Sequence, residues 1–126
     1  MTTFALELEP DRANVSRARR FVTDAVHQLG RDALAEVVEL LTSEVVTNAV
    51  LHAGTPVTLT VIADPDAVRI EVTDGAAVDV SPRNFGPEAA TGRGLALVDA
   101  LASRWGTRTE PRGKTVWFVV GQVDAA

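Results

Sequence analysis

A chain of 126 residues, 46% hydrophobic and 23% charged, has room for one domain with a real core, and its composition is unlike that of a disordered segment. Its net charge of −5 offers no electrostatic footprint for a phosphate backbone, so direct binding to nucleic acid is not expected. The absence of cysteine excludes disulfides, thiolate metal sites and cysteine nucleophiles.

Taken in order, Phe4, Leu6 and Leu8 alternate with Ala5 and Glu7, which predicts a short strand ending at Pro10. Val15, Ala18, Phe21, Val22, Ala25, Val26 and Leu29 recur at helical spacing, with Asn14 as the expected N-cap and Gly30 just past the C-terminus. A longer helix is predicted from Asp32 to His52, stopped by Gly54 and Pro56. Val57, Leu59, Val61 and Ala63 then form one arm of a hairpin and Val68, Ile70 and Val72 the other, joined by an Asp64-Pro65-Asp66 turn. From Gly75 to Gly92 small residues, prolines and glycines predict a long loop, of a length that is usually either functional or disordered. Leu95, Leu97, Val98 and Leu101 predict a short helix, followed by strands near Trp105 to Thr109 and Lys114 to Val120. The last is apolar on both faces, as an inner strand would be. Charged residues from Asp11 to Asp24 interrupt any leader-like apolar stretch and no run is long enough to span a bilayer, so a single-domain (residues 1–126), cytoplasmic, non-membrane protein is expected.

Three places carry polar residues where apolar ones belong. At 100° per helical residue, Asn48 falls about 40° from Glu44, between Leu41, Val45 and Ala49 at about 60° to 140° and Leu51 and Leu40 at about −20° and −40°. Glu44 and Asn48 are therefore expected inside the apolar arc, opposite Glu36, Glu39, Ser43 and Thr47. Such a pair is either a structural buried pair or one that meets a ligand, since unpaired burial costs several kcal/mol. His52 is near enough in angle to join them but is assigned no catalytic role. Asp74 keeps the parity of Val68, Ile70 and Val72; its carboxylate either caps the turn at Gly75 or accepts hydrogen bonds from a heterocyclic amine. Thr91-Gly92-Arg93-Gly94 opens a helix, where backbone N–H groups and the helix dipole favour anions, although many such turns are only turns.

Other phosphate-binding patterns fail on the same chain. Gly113-Lys114-Thr115 looks like the end of a P-loop, but Arg108 stands where its first glycine is required and a strand follows. Leu97 stands where a third dinucleotide-binding glycine would be.

The order Glu44-x-x-x-Asn48-Ala49, Asp74-Gly75, a long loop, Gly92-Arg93-Gly94-Leu95 and Gly113-Lys114-Thr115 resembles the GHKL (Bergerat-fold) ATPase superfamily. Within it, the stretches Thr42 to His52, Gly92 to Gly106 and Gly113 to Phe118 look like the short anti-sigma-factor serine kinases and their actinobacterial relatives. The resemblance implies an α/β two-layer sandwich: a mixed, mainly antiparallel sheet with helices on one face. It implies ATP and Mg²⁺, with Asn48 on the metal that bridges the phosphates, Asp74 on the adenine amino group and Thr115 supporting the adenine end near Asp74. Gly92, Arg93, Gly94 and Leu95 would wrap the phosphates, the loop Gly75 to Thr91 would serve as a lid, and Glu44 would be the general base.

It also implies an acceptor serine on a STAS-domain anti-anti-sigma protein, a sigma factor as second partner, and a homodimer as a reasonable assembly. One departure stands out. The superfamily has D-x-G-x-G after its adenine-binding aspartate, whereas Ala76 and Val78 stand at the glycine positions here, which predicts weakened nucleotide affinity. The alternatives are a nucleotide-binding partner switch of the same fold without turnover and, further off, a detached histidine-kinase ATPase domain. The latter lacks a helix pair carrying a phosphoacceptor histidine, and His27 and His52 fall in helices where packing explains them.

Overall fold

A computed structural model describes residues 2–75, 92–111 and 113–121. The elements run β1 (Thr2–Leu8), α1 (Asn14–Gln28), a 3-10 turn (Asp32–Leu34), α2 (Ala35–Ala53), β2 (Val57–Ala63), β3 (Ala67–Asp74), α3 (Gly92–Leu101), β4 (Arg104–Glu110) and β5 (Gly113–Gly121). The predicted loop over residues 76–91 lies outside the described residues, as do Ala76 and Val78.

The strands form one sheet in the order β1-β2-β3-β5-β4, and all four pairings are antiparallel. The mainly antiparallel sheet expected from the motifs thus has no parallel neighbours among the described residues. β3 and β4 do run in the same direction with α3 between them, but β5 inserts into the gap and converts one parallel contact into two antiparallel ones.

Register decides which residues meet the helices. Leu8, Val57, Leu59, Val61, Val68, Ile70, Val72, Phe118 and Val120 share one face and pack against Ala18, Val22 and Val26 of α1, Val38, Leu41, Val45, Val46 and Val50 of α2, and Val98 of α3. All three helices therefore cover the same face. The other face carries Arg69, whose guanidinium lies 4.2 Å from the Trp117 ring centroid and whose Nε donates to Glu71 at 2.8 Å. Arg108 of β4 reaches the same Glu71 at 3.7 Å.

Local chemistry sets the element ends. Asp64 Oδ1 accepts from the backbone N–H groups of Asp66 and Ala67 at 3.0 and 2.7 Å, closing the predicted hairpin turn. Arg31 donates to the carbonyls of Ala67 (2.7 Å) and Asp64, pinning that turn to the segment after α1. At the end of α1, Gly30 N–H bonds His27 O and Arg31 N–H bonds Val26 O, the paired pattern of a glycine-terminated helix. The N-cap differs from expectation: Asn14 is already the first helical residue, its Nδ2 donates back to Glu9 O at 3.0 Å, and Asp11 Oδ1 takes the Ala13 N–H at 2.9 Å. The helix predicted from Asp32 starts as a tighter 3-10 turn, and α-helical bonding begins at Ala35. Trp105 Nε1–H donates to Asp99 Oδ1 at 2.8 Å and ties α3 to β4.

One core position is strained in its polarity rather than its shape. Thr42 is fully buried and its Oγ1 has no hydrogen-bond partner among the described residues. A buried hydroxyl without a partner costs about 1–3 kcal/mol, and valine has nearly the same shape. Thr42→Val is therefore expected to stabilise the protein by about 1 kcal/mol, read as a rise in denaturation midpoint at unchanged m-value; a fall would show that the hydroxyl is satisfied in solution.

Candidate nucleotide site

The buried arc of α2 is Val38, Leu41, Thr42, Val45, Val46 and Val50, centred about 150° from Glu44. The arc expected from the sequence is rotated, because α1 packs along α2 and buries the Val46 and Val50 side; Arg19 of α1 comes within 4.0 Å of Glu39 there. Leu40 and Leu51 are not core residues but are 41% and 51% exposed. Glu44 and Asn48 consequently sit half-buried on the border between the core and an open strip, rather than within the core. That setting suits a reactive pair better than full burial, since a ligand can reach side chains whose backbone is held by packing. Asn48 has a polar partner already. His52 is exposed, in keeping with no role in the pair.

Asp74 ends β3 on the helix-covered face and is only 6% exposed. Asp74 has a polar partner already, and the Gly75 N–H beside it is donated to Thr55 Oγ1 at 2.9 Å. That bond also locates Asp74: Thr55 directly follows the end of α2, and Asp74 pairs in register with Val57. Asp74 therefore lies by the C-terminal end of α2. At 1.5 Å rise per residue, Asn48 stands about 9 Å and Glu44 about 15 Å back along the helix from Gly54. The site is thus ordered along α2 as Asp74, then Asn48, then Glu44.

Thr115 departs from expectation. Its hydroxyl lies 2.7 Å from Thr73 Oγ1, and Thr73 faces away from Asp74 on β3. Thr115 is fully buried on the opposite side of the sheet, so it does not stand beside the Asp74 carboxylate. The residue opposite Asp74 in register, on its own face, is Lys114, which the sequence reading passed over. Gly113 holds that register: a Cβ there would lie 1.9 Å from the Asp74 backbone oxygen.

Helix α3 begins at Gly92, so Gly92, Arg93, Gly94 and Leu95 form its first turn instead of preceding it. The N–H groups of a helix's N-cap residue and first three helical residues lack intrahelical partners, and in α3 Gly92, Arg93 and Gly94 supply three of them. The Arg93 and Leu95 side chains lie outside the described residues. α3 packs against α2.

Among the described residues no group of three or more His, Asp or Glu could hold a metal ion. Magnesium characteristically takes one or two protein oxygens and completes its shell with water and substrate phosphates. A single carboxamide oxygen at Asn48 fits that requirement.

A two-layer α/β domain with helices on one sheet face, a buried strand-end carboxylate and an acid–amide pair on the neighbouring helix has the form of a nucleotide-binding ATPase domain. The chain belongs to the histidine kinase-like ATPase domain family, whose model matches residues 8–120, and so to the GHKL group that its motifs resemble. No curated protein matches the chain at a significant level. Among the described residues no helix is long and apolar enough to cross a membrane.

Proposed function

We propose that this protein binds ATP with Mg²⁺ and is an anti-sigma-factor-type protein-serine kinase that phosphorylates a STAS-domain anti-anti-sigma partner and sequesters a sigma factor. The observation that carries this reading is the order of groups along α2. A carboxylate suited to a purine amine lies at one end, an amide suited to a phosphate-bound metal comes next, and a carboxylate suited to an incoming hydroxyl is furthest away. That is the order in which ATP presents base, phosphates and the reacting γ-phosphoryl group.

In this reading Asp74 accepts from the adenine amine, and the N–H groups of Gly92, Arg93 and Gly94 donate to phosphate oxygens at the positive end of α3. Asn48 would hold magnesium through its carboxamide oxygen, and the metal would supply positive charge to offset the negative charge that develops on transfer. Glu44 takes the proton of the acceptor serine as its oxygen bonds the γ-phosphorus and the bond to the departing ADP oxygen breaks. Phosphorylation adds about −1.5 to −2 charge to the acceptor at neutral pH, which opposes renewed docking on an acidic chain and leaves the kinase to hold its sigma factor. Leu40 and Leu51, exposed on the same strip of α2 as Glu44, favour a protein acceptor over a small molecule, since they flank the base with apolar surface.

A second reading, a nucleotide-dependent partner switch without turnover, is favoured by Ala76 and Val78 at the two expected glycine positions. Both readings require the nucleotide. Titration calorimetry with Mg²⁺ and ATP should show binding by the wild type and affinity losses of about 10- to 100-fold in Asn48→Ala and Asp74→Ala, each with unchanged circular dichroism. Absence of wild-type binding at millimolar ATP would sink both.

A further inference from the structure

The motifs give Lys114 no role of its own, and the register of β5 on β3 constrains its placement. In an antiparallel pair, directly opposed residues share a face with Cβ atoms roughly 4.5–5.5 Å apart, and Lys114 is directly opposed to Asp74. Two features prevent a one-residue slip that would exchange Lys114 for Thr115. Thr115 is committed to Thr73 on the far face at 2.7 Å, and Gly113 lies so close to the Asp74 carbonyl that no side chain fits there. Asp74 is buried whereas Lys114 is exposed, so the lysine side chain runs from the shared face toward solvent, the side from which a ligand would reach the carboxylate.

The chemistry of the two side chains is complementary. A carboxylate only accepts hydrogen bonds and a lysine head only donates them. An adenine presents an amine at ring position 6 and, next to it, an unprotonated N1 that accepts. A guanine presents the reverse, a carbonyl oxygen at position 6 and an N–H at position 1. We propose that Lys114 is the specificity-determining partner of Asp74, donating to adenine N1 while Asp74 accepts from the neighbouring amine, so that the pair selects adenine over guanine. A guanine in the same pose sets its position-6 oxygen against the carboxylate and its N1–H against the lysine, and both contacts repel. This inference rests on the proposal that Asp74 holds the purine.

The test compares wild type and Lys114→Met by calorimetry with Mg²⁺ and three nucleotides: ATP, GTP, and 1-deaza-ATP, in which a C–H replaces N1. The wild type should bind ATP about 10-fold more tightly than 1-deaza-ATP and at least 10-fold more tightly than GTP. In Lys114→Met the ATP affinity should fall about 10-fold to meet that of 1-deaza-ATP, whose own affinity should hardly change, and the preference over GTP should narrow. Lys114→Arg, which keeps a donor, should retain part of the preference for ATP over 1-deaza-ATP.

If Lys114→Met weakens ATP and 1-deaza-ATP by the same factor, the lysine acts on the phosphates or on folding, and the inference is overturned. It is equally overturned if ATP affinity is unchanged. In both cases ATP binding by the wild type leaves the nucleotide reading intact. Absence of wild-type binding removes the reading and the inference together, so the two failures are distinguishable.

Discussion

Glu44→Gln is expected to slow phosphoryl transfer to a protein serine by about 10²- to 10⁴-fold, the usual contribution of a positioned general base, while ATP affinity stays within about threefold of wild type. Glutamine keeps the size and polarity of the side chain but cannot take up the serine proton. Because Glu44 is half-buried at the edge of the α2 arc and not within it, the substitution neither opens a cavity nor strands a charge in the core. Its effect should therefore fall on the chemical step alone. The measurement is a single-turnover transfer of labelled γ-phosphate to an acceptor drawn from a panel of STAS-domain proteins, with ATP affinity determined separately by calorimetry. An unchanged rate in Glu44→Gln would remove Glu44 from the mechanism. If the wild type binds ATP but no acceptor in the panel takes up phosphate, the partner switch without turnover becomes the better account. The variant also separates Glu44 from Asn48: loss of the amide is expected to act on binding and loss of the carboxylate on rate, although the residues stand one helical turn apart.

Gly113→Ala is expected to cost about 3 kcal/mol or more, which for a domain of this size lowers the melting temperature by roughly 10 °C. The added Cβ would lie 1.9 Å from Asp74 O, 2.9 Å from Asp74 C and 3.1 Å from Gly75 Cα. All three atoms are backbone, so no side-chain rotation relieves the clash, and the ends of β3 and β5 must part. Because the same contact seats Asp74, ATP affinity should fall with stability. Thermal unfolding with and without Mg²⁺ and ATP reads both effects: the variant should melt lower and gain less from the nucleotide. A melting temperature within 2 °C of wild type would mean that the close approach of Gly113 to Asp74 does not hold in solution.

Much of the fold is legible in the chain order of its patterns. The alternation of Val57, Leu59, Val61 with Val68, Ile70, Val72 around Asp64-Pro65-Asp66 specifies a hairpin locally, because period-two burial and an Asp-led turn need nothing from the rest of the molecule. The parity that buries Asp74 follows from the same alternation. The α2 arc shows where local periodicity stops being sufficient. Leu40 and Leu51 look like core residues on a helical projection, yet the projection cannot say how many neighbours the helix has. Packing against α1 as well as the sheet turns the buried arc toward Val46 and Val50 and leaves the two leucines beside Glu44 in the open.

Strand β5 shows the same limit more sharply. From Thr115 to Val120 it is apolar or weakly polar at every position, so no alternation reveals which parity meets the helices. The motif resemblance accordingly set Thr115 beside Asp74, and only the pairing with β3 shows Lys114 in that position. By itself the sequence determined the types of the described elements, the hairpin and the family, and it singled out Glu44, Asn48 and Asp74 as candidates, because each is written in local spacing or in residue identity. The tertiary structure alone decided the strand order with β5 between β3 and β4, the orientation of α2 and the neighbour of Asp74. These depend on register and on which surfaces meet, which no segment can specify without its partner.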